Sequence, residues 1–77
     1  MKYKYNPKEF SWDVEIEKSM EIIYGYCEKE HLTKEEKFFQ EKEVGDLHFL
    51  LKHAVVDCLL KKETADEIEE YFWGLLK

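Results

Sequence analysis

Leu47-His48-Phe49-Leu50-Leu51-Lys52-His53-Ala54-Val55-Val56-Asp57-Cys58-Leu59-Leu60-Lys61-Lys62 is the chain's longest run dense in apolar residues. Wound as a helix at about 100° per residue, it is apolar on two sides. Leu47, Leu51, Ala54, Val55 and Cys58 share one face, and Phe49, Val56 and Leu60 fall opposite. His48 and Lys52 separate the two faces on one flank; His53, Asp57 and Lys61 separate them on the other. A surface helix needs one apolar stripe, and a helix with two must be covered from two sides. The run therefore reads as a central helix with neighbours on both faces, or with one neighbour and a partner chain.

Working outward, Gly45 stops the preceding element and Asp46 caps the central helix. Upstream, Thr33 and Glu36 form a capping box, which opens a helix from Lys34 to about Val44. Its apolar residues are only Phe38, Phe39 and Val44, enough to cover one edge of a core. Downstream, Thr64-Ala65-Asp66-Glu67 reads as a second capping box, opening a last helix from Ala65 to about Leu76. Its apolar face is Ala65, Ile68, Tyr71, Phe72, Leu75 and Leu76, and the early Asp66, Glu67, Glu69 and Glu70 suit the positive helix end.

The first helix starts between Pro7 and Val14, at Asn6-Pro7 or at Ser11-Trp12-Asp13, and runs to about Glu30. Its stripe is Trp12, Ile16, Met20, Ile23 and Cys27, flanked by Tyr24 and Tyr26 with their hydroxyls in water. Glu17, Glu21 and Glu28 form the opposite face. Ahead of it, Met1–Asn6 alternates Lys2 and Lys4 with Tyr3 and Tyr5, an extended arm that lays its tyrosines over the helices. The expected fold is all-α: a single domain over residues 1–77, a small bundle of four helices, the third central, with a short extended N-terminal arm.

Seventy-seven residues bury a thin core, which the 16% aromatic content partly offsets. The net charge of -6 argues against duplex DNA and anionic membranes, both polyanions, and leaves a basic protein as a partner. No apolar region follows the first charges and no run reaches the length of a membrane span, so a cytoplasmic protein is expected. Cys27 and Cys58 both fall on apolar faces, which reads as two buried reduced thiols, with a single Cys27–Cys58 bridge as the alternative.

No spacing in the chain matches a nucleophile elbow, a phosphate-binding glycine loop or a zinc-protease helix. The carboxylates look like solvated faces, since none is placed in an apolar pocket that would raise its pKa. The expectation is a protein without enzymatic activity and without a cofactor. Cys27 with His31, and His53 with Asp57, each stand four apart; together they would make a four-ligand zinc site between two helices. The bland alternative is a core cysteine, a helix-end imidazole and an ordinary surface pair.

Trp73 falls on the acidic side of the last helix, where a large indole serves as an interface anchor or folds back over the helix edge. The first functional expectation is a small interaction or regulatory module acting by helix docking, as a homodimer or on a partner. Its contact residues are Trp73, Phe49, Val56 and Leu60, with Glu17, Glu21 and Glu28 as an acidic rim that selects a basic protein. The alternatives are an acidic decoy that mimics nucleic acid through Glu17, Glu21 and Glu28, and a metal-binding protein using Cys27, His31, His53 and Asp57.

Overall fold

Two successive caps start the chain. Asn6 accepts from the backbone of Lys8 and opens a single 3-10 turn, Pro7–Phe10, with Pro at its first position. Asp13 then accepts from Glu15 N at 3.0 Å and Ile16 N at 3.2 Å, and opens helix α1, Val14–Cys27. Both start signals in the sequence are used, one for each element. The computed structural model describes residues 2–76; Met1, the first residue of the expected arm, lies outside them.

Helix α2, Lys34–Val56, begins at the expected capping box: Thr33 Oγ1 accepts from Glu36 N at 3.1 Å, and Glu36 accepts in return from Thr33 N at 3.0 Å. Helix α3 is Lys62–Gly74. The described residues thus hold three α-helices and no strand. The all-α class stands, and the four-helix bundle is overturned, because the expected helices at 34–44 and 47–62 are one. Gly45 does not stop α2: no glycine here has positive φ, and a helix is closed by glycine only when it turns left-handed. The inward row explains the continuity. Gln40, Val44, Leu47, Leu51 and Ala54 are all buried, at spacings of four, three, four and three that run straight through the glycine. The central helix is therefore the second of three.

The expected ends also move. α2 stops at Val56 rather than Lys62, closed by Cys58 at φ 62°. Cys58 N donates to Val55 O at 3.0 Å, and Leu59 N reaches back to Ala54 O at 2.9 Å, which satisfies two of the last carbonyls. Cys58 is consequently exposed instead of buried. α3 begins a turn before the expected Thr64 box, with Lys61 at its cap and no side-chain cap hydrogen bond. α1 ends at Cys27 rather than near Glu30, which leaves His31 beyond the helix.

α1 and α3 both run antiparallel to α2 and lie against its inward row. Gln40 Nε2 reaches Cys27 Sγ at 3.4 Å and Ser19 Oγ donates to Glu43 at 2.9 Å, tying α1 down. Ile16, Met20, Ile23, Ile68 and Phe72 complete the interior. Aromatic rings and the arm fill the wedge between the outer helices. Tyr24 and Phe72 meet at 5.3 Å, and Tyr3 stacks on Tyr24 at 3.9 Å and 8°. Tyr5 meets Tyr71 edge-on, Lys4 N donates to the Tyr71 hydroxyl at 3.0 Å, and the Tyr24 hydroxyl donates to Tyr5 O at 2.8 Å. Tyr24 is thus buried, with its hydroxyl paired rather than wet, and burial raises its pKa. The expected stripe of α1 shifts with it: Trp12 lies outside the helix and exposed, while Ser19 and Tyr24 are buried.

A non-glycine residue held left-handed costs stability, and Cys58 carries that cost in exposed surface. Cys58→Gly should add about 1 kcal/mol, raising Tm by about 4–8 °C in a thermal melt. Leu51→Ala, in the buried inward row, should remove about 2–5 kcal/mol in denaturant titration.

Candidate docking surface

Because both neighbours of α2 lie on its inward side, the outward side has no cover among the described residues. Phe38 is 63% exposed, Phe49 62% and Val56 78%. Phe38 and Val56 are separated by about five whole helical turns, and Phe49 falls within about 20° of the line joining them. Lys42, Gly45 and Lys52 occupy the positions between and beside them. The three apolar side chains form one straight stripe, opposite the inward row by about half a turn of the helix.

Two grooves flank that stripe, and Phe49 is the ridge between them. One, of about 560 Å³, lies between α2 and α3, with Val55, Val56 and Ala65 in its wall. The other, of about 700 Å³, lies between α1 and α2 and is walled by Ile22 and Leu50. At the first groove His48 Nδ1 stands 2.6 Å from Glu69 Oε1, without the alignment of a hydrogen bond. The same carboxylate oxygen accepts from Trp73 Nε1 at 3.3 Å. Trp73, 40% exposed, is thereby tethered to the acidic side of α3, short of the stripe.

The expected contact residues therefore separate. Phe49 and Val56 share the outer face of α2. Leu60 does not: it lies past the end of the helix and packs, half-buried, against the core. Trp73 belongs to another helix and is linked to α2 through Glu69, which stands against His48. On α1, Glu21 is exposed and Glu17 half-buried. Glu28 is ion-paired with Lys2 at 2.7 Å, which holds the carboxyl below its ordinary pKa through that hydrogen bond. Phe38 was expected over the core edge and instead extends the stripe.

The four candidate metal ligands are not brought together. Cys27 sits beside Gln40, while His53 lies thirteen residues further along α2, about 20 Å away. No group of three or more His, Cys, Asp or Glu side chains close enough to hold an ion occurs among the described residues. The same separation keeps Cys27 from Cys58, and both are free thiols. No described helix is long and apolar enough to cross a membrane. No family model matches the chain, and no curated protein or solved structure shows significant similarity to it.

The two cysteines should differ in reactivity. Burial pushes the Cys27 thiol up, against the opposing donation from Gln40, whereas Cys58 is open to solvent. With a disulfide-exchange dye at neutral pH, Cys58 should react first and Cys27 at least about tenfold more slowly. Equal rates would show that Cys27 is not packed against Gln40.

Proposed function

We propose that this protein is a non-catalytic docking module whose contact surface is the outer face of α2. The observation that supports it is the straight stripe of Phe38, Phe49 and Val56 on a well-formed helix. Single exposed apolar residues are ordinary on protein surfaces; here three large ones lie in line on one helix face, which supports the reading. The neighbouring grooves let a partner's side chains pack on either side of the Phe49 ring. The recognition mode is helix-in-groove or helix-on-helix, read by residues about two turns apart.

The acidic-decoy alternative has less behind it. It needs a free row of carboxylates on α1, and of Glu17, Glu21 and Glu28 one is half-buried and another already ion-paired. The two readings differ in salt dependence: a decoy loses affinity steeply as salt rises, and an apolar dock changes little.

A photo-reactive phenylalanine analogue at position 49 tests the proposal in the native cell lysate and in purified protein. Cross-linked adducts should form at position 49 and not at exposed Glu63. Their yield should fall when Phe38 and Val56 are both changed to alanine, and should change less than about twofold between low and high salt. Phe49→Ala should leave stability within about 0.5 kcal/mol, since its side chain is mostly in water. No adduct at position 49, or a yield that collapses with salt, would overturn the docking surface.

A further inference from the structure

We infer that the outer face of α2 takes a second copy of this chain, antiparallel and two-fold symmetric about the level of residue 47. The inference rests on the docking reading above and names its occupant. The ends of the stripe, Phe38 and Val56, are equidistant from that level, and Phe49 stands opposite a glycine across it. Turning α2 end for end carries Phe38 onto the partner's Val56, and Gly45 onto the partner's Phe49. An isologous interface requires this kind of self-complementarity, because the same patch must serve both sides.

Gly45 supports the same arrangement. It lies in the middle of a long helix without positive φ, and a Cβ built on it would meet nothing within 4 Å. Neither backbone geometry nor internal packing calls for glycine there, although glycine weakens a helix interior relative to alanine. In the two-fold register, the Phe49 ring of each copy lies over the partner's Gly45. The missing side chain leaves room for the ring and lets the two helices approach.

The charges along the stripe fit as well. Glu41 and Lys52 lie on the same edge, both exposed, and neither has an ion-pair partner among the described residues. The register sets each Glu41 beside the partner's Lys52, twice in the dimer. Lys42, on the other edge, is already held by Asp46 at 3.6 Å. The net charge of -6 opposes two copies at long range, and salt screens that repulsion and the two Glu41–Lys52 pairs alike, so association changes little with salt. The stripe is about 27 Å long, the span of eighteen helical residues. That makes a small interface, with association in the micromolar range or weaker.

Light scattering on the purified full chain, from about 10 µM to about 1 mM, is the first measurement. The mass should rise from 9.4 kDa toward twice that value. Glu41→Lys and Lys52→Glu should each weaken the dimer by about tenfold, and the double reversal should restore it. Gly45→Ala should raise Tm by about 4–8 °C while weakening association at least about tenfold, a combination that a structural role alone would not produce. Gly25→Ala, the matching change on α1, should raise Tm and leave association unchanged. A monomeric mass throughout, or a dimer indifferent to Gly45→Ala and both charge reversals, overturns the inference. A monomer that still gives salt-insensitive adducts with another protein at position 49 removes the second copy and leaves the docking surface standing. No adduct of any kind removes both.

Discussion

One row of side chains supports this molecule: Gln40, Val44, Leu47, Leu51 and Ala54 on the inward face of α2. Both other helices pack against that row, and their own backbones stay apart. A wedge lies between them. It is filled by Tyr24 and Phe72, then sealed from outside by Tyr3 and Tyr5 of the N-terminal arm. About half of the chain's aromatic residues serve this geometry, while Trp12, Phe38, Phe39, Phe49 and Trp73 stand exposed. A chain of this length has few residues to spend on a core, and rings fill a wide gap with the fewest ordered side chains.

Packing both neighbours on one side leaves the other side in water. The stripe of Phe38, Phe49 and Val56 then exposes apolar area that each square ångström of burial would turn into about 25 cal/mol. Charge is distributed to match. Acidic residues dominate the chain as a whole, yet Lys42 and Lys52 border the stripe. An acidic body keeps like molecules apart at distance, while Glu41, Lys42 and Lys52 leave the border of the ridge close to neutral.

The parts legible in the sequence were those governed by local chemistry. The caps at Asn6, Asp13 and Thr33 act over three or four residues, and each forms as its residue type dictates. The apolar face of α3 and the two-sided pattern of α2 follow from helical periodicity alone. The candidate surface was half legible: Phe49 and Val56 were identified from the opposed faces of one helix. Phe38 is hidden at the level of sequence because Gly45 reads as a stop there, which splits the helix and a stripe five turns long.

What only the tertiary structure decided were the positions where long-range packing outweighed a local signal. Gly45 stays helical because the buried row on both sides of it is continuous, and that gain exceeds the modest helix penalty of one glycine. The Thr64 box goes unused because the turn after α2 closes at Cys58 and brings Lys62 into helix first. The sequence by itself determined that α2 would have two apolar faces. Which of them would be buried depended on where α1, α3 and the arm could reach, and short connections hold all three on the same side.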